Sequence, residues 1–298
     1  MHADQLAITV ETVRRLVDAQ FPDWASLPIE RVNSEGTVNS IFRLGDRLSA
    51  RFPLRPAPVD TIRQALRSEA DAARLLAGRT RFATPQPVAS GEPGLGYPLP
   101  WSVQTWLPGI TASVADPATS VGFAHDLAEF VACVRAIDTD GHAFTGHGRG
   151  GDLRSHDGWM DECFGCSAGL LDVGPVRRLW RRLRDLPRSA PDVMTHGDLT
   201  PGNVLVSAGR LAGVLDIGGL APADPALDLV GGWHLLESRP RRVFRQELEC
   251  DDLEWERGKA WALEQATGAA WYYATTNLAM SQMGVHTIER ILADEPAT

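Results

Sequence analysis

Hydrophobic and polar positions follow two kinds of periodicity in residues 1–106 of the chain. Apolar residues recur at helical spacing from Thr9 to Ala19 and from Asp60 to Ala77. Between and after these stretches lie short runs of the kind that form strands, separated by turn residues such as Gly45-Asp46. The runs are Ile29 to Val32, Ser40 to Leu44, Arg47 to Phe52, Gln86 to Ala89 and Trp101 to Leu107. This part of the chain is therefore predicted to form a small antiparallel sheet with one helix laid against it.

Helical spacing dominates the remainder of the chain, residues 107–298. The predicted helices are Ala118 to Ile137, Pro175 to Leu186, Ala226 to Leu236 and Glu254 to Leu292. Two short strands, Asn203 to Val206 and Leu211 to Leu215, interrupt them. The pattern predicts an α+β protein with a small sheet lobe over residues 1–106 and a larger, mainly helical lobe over residues 107–298.

Composition limits the classes of function. The 298 residues carry a formal net charge of -9, which argues against nucleic-acid binding because that binding needs a surplus of basic residues. The N-terminus lacks the basic and apolar blocks of a signal peptide, and no apolar run approaches the roughly 20 residues that span a bilayer. We expect a cytoplasmic protein that binds neither nucleic acid nor membrane, as a monomer or homodimer.

The sequence His196-Gly197-Asp198-Leu199-Thr200-Pro201-Gly202-Asn203, followed by Asp216, carries the clearest chemical signal. An Asp, an Asn five residues later and a second Asp after an apolar run match the spacing that kinases use around a terminal phosphate. Asp198 is suited to orienting a substrate hydroxyl and accepting its proton. Asn203 and Asp216 offer the hard oxygen ligands that Mg²⁺ prefers. Phosphoryl transfer is the predicted chemistry.

The region from His196 to Leu229 resembles the aminoglycoside phosphotransferase family in its HGDxxPGN loop, in Asp216-Ile217-Gly218-Gly219 and in the segment from Ala223 to Leu229. The resemblance implies a two-lobed protein-kinase-like fold with a nucleotide-binding N-terminal lobe. It also implies Asp198 as the catalytic base and Asn203 and Asp216 as magnesium ligands. Asp224 and Asp228 have mainly architectural roles in such proteins.

The N-terminal lobe departs from the usual kinase pattern, in which a strand Lys pairs with a helix Glu over the phosphates. The single Lys of the chain is Lys259, so Arg51 of the third strand and Glu69 of the helix are predicted to form that pair. Polar contacts to the nucleotide are predicted at Ser34 and Asn39, in the turn before the second strand. Backbone groups from Gln104 through Trp106 to Leu107 are expected to pair with the nucleobase.

These features predict a magnesium-dependent enzyme that moves the terminal phosphate of ATP or GTP to a hydroxyl of a small molecule, with an aminoglycoside or related antibiotic as the leading substrate class. Two alternatives remain: a metabolite kinase of the same fold, acting on a sugar, choline-like or amino-alcohol substrate, and a regulatory nucleotide-binding pseudokinase. The acidic segment Glu247 to Glu256 and a set of aromatic residues are the candidates for the acceptor pocket. The aromatic set is Trp233, Trp255, Trp261, Trp271, Tyr272 and Tyr273.

Overall fold

The strand-like runs of the N-terminal part form one five-stranded antiparallel sheet in the order β1-β2-β3-β5-β4. The computed structural model describes residues 5–32, 38–188 and 190–295. The strands are β1 (Ile29–Val32), β2 (Asn39–Leu44), β3 (Leu48–Pro53), β4 (Pro87–Gly91) and β5 (Trp101–Thr105). This first unit comprises Met1–Pro108 and Val214–Gly218, so it includes a segment beyond the predicted boundary at residue 106.

Two helices belong to the first unit, and the apolar spacing explains both. Helix α1 (Val10–Gln20) begins at Thr9, whose side chain accepts from the amide of Thr12, and it buries Val13, Leu16 and Val17 in the core of the sheet. Helix α2 (Val59–Leu76) buries Ala72, Ala73 and Leu76. Aromatic rings complete the core, where Phe52 stacks on Trp101 with ring centroids 4.7 Å apart. Helix α2 carries Glu69 and strand β3 carries Arg51, and these two side chains form an ion pair.

The second unit comprises Gly109–Gly213 and Gly219–Thr298 and is mainly helical. Its helices are α3 (Val121–Arg135), α4 (Asp157–Ser167), α5 (Val173–Leu183), α6 (Val230–Leu235), α7 (Ser238–Glu247), α8 (Asp252–Tyr272) and α9 (Leu278–Asp294). Helix α8 contacts α4, α5, α6 and α9 and is buried along most of its length, and its buried charged residues form ion pairs, as Arg257 does with Asp224. Within the described residues, no helix is long and apolar enough to cross a membrane.

Two small sheets accompany these helices. Strand β6 (Ile110–Thr111) pairs with β8 (Val204–Ser207), which in turn pairs with β9 (Arg210–Val214). Strand β7 (Val193–Thr195) pairs with β10 (Ala221–Ala223). The sequence predicted β8 and β9 but not the three short strands, since two or three residues are too few to show a periodicity.

The single helix predicted from Glu254 to Leu292 is wrong, because the chain breaks between α8 and α9. The amide of Tyr273 caps α8 by bonding to the carbonyl of Ala269, and the side chain of Asn277 caps the start of α9. The two helices then pack closely, because Gly284 lies where a Cβ would come within 2.5 Å of the Ala266 carbonyl oxygen. Asn277 after two threonines is the local signal for this break.

Helices α4 and α7 were absent from the sequence prediction, and the predicted helix from Ala226 to Leu236 is a 3-10 turn, Pro225–Leu229, followed by α6. Helix α4 contains Gly158 and Gly165, which lower intrinsic helix propensity. Helix α7 has little apolar surface and buries only Pro240, Arg241 and Phe244. Tertiary packing, more than local propensity, stabilises both helices.

Gly91 provides the sharpest packing constraint in the sheet of the first unit. It lies opposite Trp101 in the β4–β5 pair, and an added Cβ would come within 2.0 Å of the buried indole. We expect Gly91→Ala to lower the free energy of unfolding by about 3 kcal/mol, since overpacking a rigid core displaces side chains and backbone. Urea denaturation measures the change. Gly94→Ala is the matched control, because its Cβ would meet only Leu16 at 3.9 Å and should have little effect; equal stability of the two variants would contradict the expectation.

Candidate active site

The loop from His196 to Asn203 leaves β7 through a tight turn that Asp228 holds in place. The buried Asp228 carboxylate accepts from the backbone amides of His196 at 2.8 Å and Gly197 at 2.7 Å. Gly197 has a φ of 78°, a left-handed conformation that glycine adopts without a steric penalty. The turn therefore holds Asp198 in one position relative to the end of β7.

The Asp198 carboxylate receives hydrogen bonds from three side chains of the second unit. Asn203 Nδ2 donates to Oδ2 at 2.8 Å, Gln265 Nε2 donates to Oδ1 at 2.6 Å, and Arg149 Nη2 lies 3.3 Å from Oδ1. The carboxylate side chain is nevertheless 41% exposed. Asp198 is thus held in one orientation and stays accessible to a substrate.

The buried side chain of His196 supports the loop. Its Nδ1 accepts from the backbone amide of Asp198 at 3.3 Å. The ring packs edge-on against Phe130. His196 therefore holds the loop through a hydrogen bond to the backbone at Asp198.

Arg149 and Gln265 were not identified from the sequence. Arg149 lies in a segment with glycines at 146, 148 and 150, all of which have positive φ. Gln265 is a buried amide in helix α8, in a stretch from Ala260 to Ala270 that is otherwise mostly apolar. A buried polar residue must find a partner, so the polar pair Glu264-Gln265 within that stretch was the available signal.

The segment that carries Arg149 is anchored by His156. The His156 Nε2 atom lies 3.2 Å from the carbonyl oxygen of Gly148, and Nδ1 lies 3.0 Å from Oε1 of the buried Glu264. The hydrogen bond to Glu264 raises the pKa of His156 above its ordinary value. Consecutive residues of α8, Glu264 and Gln265, therefore support both the Arg149 segment and Asp198.

A buried ion pair fixes α8 against the loops of this site. Arg257 donates to the carboxylate of Asp224, and its guanidinium also donates to the carbonyls of Leu186 at 2.6 Å and Gly151 at 3.2 Å. Asp224 has no exposed surface and also accepts from Trp261 Nε1. Asp224 and Asp228 are the two residues that the resemblance implies to be architectural. Both are buried, and each carboxylate accepts at least two hydrogen bonds.

A second group of predicted residues meets within the first unit. Arg51 forms an ion pair with Glu69, and both side chains are largely buried. The same guanidinium lies 3.3 Å from Gln104 Oε1 and 3.6 Å from Asp216 Oδ1. Arg51 therefore connects the helix carboxylate, the β5 amide and the carboxylate that follows β9.

Asp216 combines strain with exposure. Its φ of 53° is left-handed, which is uncommon for a residue other than glycine, and its side chain is 51% exposed. Strained residues that the surroundings hold in place are concentrated at functional sites.

The remaining predicted nucleotide contacts are Asn39, Ser34 and the connector from Gln104 to Leu107. Asn39 begins β2 opposite Pro53, and Ser34 lies outside the described residues. In the connector, the amide of Trp106 donates to the carbonyl of Arg47 at 2.7 Å. The Leu107 amide has no hydrogen-bond acceptor among the residues that the structure describes, so it is the connector donor available to a ligand.

Over the described ranges, no group of three or more His, Cys, Asp and Glu side chains is arranged to hold a metal by itself. The two predicted ligands lie in different units and are described separately. In the second unit, Asn203 uses Nδ2 as a donor to Asp198, which leaves its amide oxygen as an acceptor. In the first unit, Asp216 supplies an exposed carboxylate. Each offers an oxygen of the kind that Mg²⁺ prefers as a ligand.

The acidic segment Glu247 to Glu256 is engaged within its own unit. Asp251 caps α8 by accepting from the amide of Glu254, and Glu254 pairs with Arg135 at 2.7 Å. Asp252 and Glu256 pair with Arg245 and Lys259, respectively. Asp252 also lies thirteen residues before Gln265 on α8, about 20 Å at the helical rise, so the segment is remote from Asp198.

The predicted aromatic set divides into core and surface members. Trp233, Trp255 and Trp261 are buried. Trp271, Tyr272 and Tyr273 lie at the end of α8, where the Trp271 ring is 5.9 Å from that of Trp159 on α4. We call Trp159, Trp271, Tyr272 and Tyr273 the aromatic surface. Tyr272 is seven residues beyond Gln265, about 10 Å along the helix.

Comparison with known proteins supports the fold over nearly the whole chain. The GDP complex of wild-type aminoglycoside 2'-phosphotransferase-IIIa has a TM-score of 0.71 and 19% identity, covering 96% of this chain and 99% of that one. Macrolide 2'-phosphotransferase MphH from Brachybacterium faecium has a TM-score of 0.61 and 19% identity, covering 97% and 99%. These similarities confirm the predicted two-lobed protein-kinase-like fold.

Curated relatives match a shorter part of the sequence. An aminoglycoside 3'-phosphotransferase from Escherichia coli is 34% identical over 77 residues, which are 24% of this chain and 28% of that enzyme. An enzyme of the same name from Salmonella typhimurium matches to the same extent. The matched part therefore spans less than a third of the length of these relatives.

The match to a family model covers more of the chain than these pairwise matches do. The model described as the phosphotransferase enzyme family matches residues 30–261, well over half of the chain. The match includes the loop that holds Asp198 and confirms the resemblance based on its residues. The chain belongs to the phosphotransferase enzyme family.

Proposed function

We propose that this protein is a magnesium-dependent phosphotransferase that moves the terminal phosphate of ATP or GTP to a hydroxyl of a small molecule. The observation that carries the proposal is the Asp198 carboxylate, which three donors orient while it stays accessible. A turn residue without a chemical role would have no need of that support. GDP and ADP are bound in two structures of the same fold, which supports a nucleotide as the phosphate donor.

In this mechanism Asp198 orients the acceptor hydroxyl and takes up its proton as the substrate oxygen bonds to the terminal phosphorus. The bond from that phosphorus to the bridging oxygen breaks, and a nucleoside diphosphate leaves. Little covalent chemistry falls to the protein, so catalysis consists of positioning and of stabilising negative charge. Mg²⁺ bound by Asn203 and Asp216 would neutralise charge on the phosphate oxygens.

On the nucleotide side, Arg51 takes the part that a lysine has in most kinases. Its pairing with Glu69 directs the guanidinium along the sheet, and a planar cation with several donors suits phosphate oxygens. The Leu107 amide is the proposed donor to the nucleobase edge, with Gln104 acting through its side-chain contact with Arg51. Trp106 contributes its carbonyl, since its amide is already bonded.

An aminoglycoside remains the leading acceptor on the evidence of the curated relatives. A second candidate acceptor is a bulky, weakly charged alcohol such as a macrolide. The aromatic surface favours it, because Trp159 is 36% and Tyr272 38% exposed, and Tyr272 ends the helix whose Gln265 contacts Asp198. In the acidic segment, Glu254 and Glu256 are paired with Arg135 and Lys259, which weakens its attraction for a polycation. A metabolite kinase of this fold is the third possibility, and a regulatory pseudokinase would bind nucleotide without transfer.

The experiment that tests the proposal measures nucleotide-dependent phosphorylation of a panel of alcohols, with Asp198→Asn beside the wild type. Asn keeps the shape of the side chain but cannot accept the hydroxyl proton, so we expect kcat to fall at least 100-fold. Nucleotide binding, measured by calorimetry, should be unchanged. Full activity of the variant would remove Asp198 as the base.

The panel contains aminoglycosides, macrolides and simple amino and sugar alcohols, so its pattern also separates the candidate acceptors. Binding of a magnesium nucleotide without transfer to any alcohol would favour the pseudokinase.

Arg51→Met should raise the KM for the nucleotide and lower kcat, together about 100-fold in kcat/KM, because the phosphate clamp loses its charge. Arg51→Lys should retain more activity, since it keeps the charge without the fork of donors. The control is Arg63→Met, which removes a surface arginine of the same unit that pairs with Glu92. Steady-state kinetics at varied nucleotide concentration measure kcat and KM for each variant. Equal values for Arg51→Met and Arg63→Met would exclude Arg51 as the phosphate clamp.

Asp216→Asn should raise the Mg²⁺ concentration for half-maximal activity at least tenfold. Asn tolerates the left-handed backbone, so the variant removes the charge without adding strain. Asp140→Asn is the matched control, because Asp140 is an exposed aspartate with a φ of 50°. A magnesium titration of activity measures both. An unchanged magnesium requirement in Asp216→Asn would mean that Asp216 is not a ligand.

A further inference from the structure

A chain of buried polar side chains extends inward from Asp198. Gln265 Nε2 donates to Asp198 Oδ1 at 2.6 Å, and Gln265 Oε1 lies 3.1 Å from His234 Nε2. His234 Nδ1 lies 3.0 Å from the hydroxyl of Thr287 on α9. Gln265, His234 and Thr287 are all buried, and the last two have almost no exposed surface.

The chemistry of these groups favours one arrangement of protons. An ionised carboxylate only accepts, so Gln265 presents its amide nitrogen to Asp198 and its oxygen to His234. That oxygen also only accepts, so His234 carries a proton on Nε2. The Nδ1 atom of a neutral ring then accepts from the Thr287 hydroxyl at 3.0 Å, because the other acceptor near that hydroxyl, the Met283 sulfur at 3.7 Å, is a weaker one.

His234 is suited to hold this arrangement over the whole range near neutrality. Burial lowers its pKa to about 4, so the ring stays neutral, and the contact with Gln265 Oε1 selects the tautomer. The charged groups that act on it are Asp198, Arg149 and Arg290, and the backbone carbonyl of His234 accepts from Arg290 at 3.0 Å. A neutral imidazole with a bonded Nδ1 is a directional donor and not a proton shuttle.

We propose that Gln265 is a positioning residue for the catalytic base and that His234, fixed by Thr287, sets the orientation of its amide. Without the His234 donor, the Gln265 amide can rotate by half a turn and direct its oxygen at Asp198. The carboxylate would then lose one of its shortest hydrogen bonds and meet a repulsive dipole instead. The inference rests on the proposed function of Asp198.

The first test compares kcat and KM for Gln265→Leu, His234→Leu and Thr287→Val with those of the wild type. Loss of orientation at the reacting group lowers kcat, so we expect a fall of about 10- to 100-fold for the first two variants with the nucleotide KM unchanged. A smaller fall is expected for Thr287→Val. His234→Gln places an amide nitrogen near the position of Nε2 and should restore activity to within about threefold.

The matched control is Thr267→Val on α8. Thr267 is also fully buried, but its hydroxyl bonds to the carbonyl of Leu263 in the same helix, so its loss should leave kcat unchanged. Thermal denaturation of each variant separates a positioning effect from unfolding. Should His234→Leu not fold, Thr287→Val against Thr267→Val still decides the question.

A double-mutant cycle gives a readout that a structural role would not change. If His234 acts through Gln265, His234→Leu should change kcat by less than about threefold in the Gln265→Leu background. Equal effects of His234→Leu in both backgrounds, or wild-type kcat for Gln265→Leu, would overturn the proposal.

Nitrogen-15 NMR of the histidine rings tests the proton arrangement without any turnover. We expect His234, assigned by comparison with His234→Gln, to be the Nε2–H tautomer between about pH 6 and pH 8. The Nδ1–H tautomer would overturn the proposal. Because this measurement needs no substrate, it tests the hydrogen-bond chain from Thr287 to Gln265 even in an inactive wild type, whose inactivity would contradict only the proposed function.

Discussion

The ion pair between Asp224 and Arg257 is the contact on which the arrangement of the second unit depends. Both side chains are almost completely buried, and an unpaired charge at such a depth would cost several kcal/mol. Arg257 satisfies its remaining donors with carbonyls at Leu186 and Gly151, so one residue of α8 holds the chain before β7 and the chain next to Arg149. The hydrogen bonds around Asp198 can be short and directional because the segments that supply them are already fixed.

Two consecutive residues of α8, Glu264 and Gln265, support the site in different ways. Gln265 contacts Asp198 directly, and Glu264 acts at a distance through His156 and the Gly148 carbonyl. The first contact orients the carboxylate, and the second holds the glycine-rich segment from which Arg149 approaches it. A rigid helix is a better support for such contacts than a loop, because neighbouring residues move together.

Much of the fold and the chemistry could be predicted from the sequence where the information is local. The strands of the first unit were predicted from short runs between turn residues, and the candidate residues Asp198, Asn203 and Asp216 from their spacing within one short region. The break at Tyr273 to Asn277 and helix α7 were missed because packing between distant segments decides them. Gln265 was missed for the same reason, since a buried amide in a helix shows that a partner exists but not which residue it is.

Helix α8 has a buried part that supports Asp198 and an exposed end that carries aromatic residues. The hydrogen-bonded part, from Arg257 to Gln265, is buried, whereas Tyr272 at the end of the same helix is exposed and Trp159 packs over Gly268 between them. Asp198 receives its side-chain hydrogen bonds from Asn203, Gln265 and Arg149 and none from the four residues of the aromatic surface. Under the proposed function, an acceptor that contacts the aromatic surface could be exchanged for another through substitutions there, while the hydrogen bonds that orient the base stay in place.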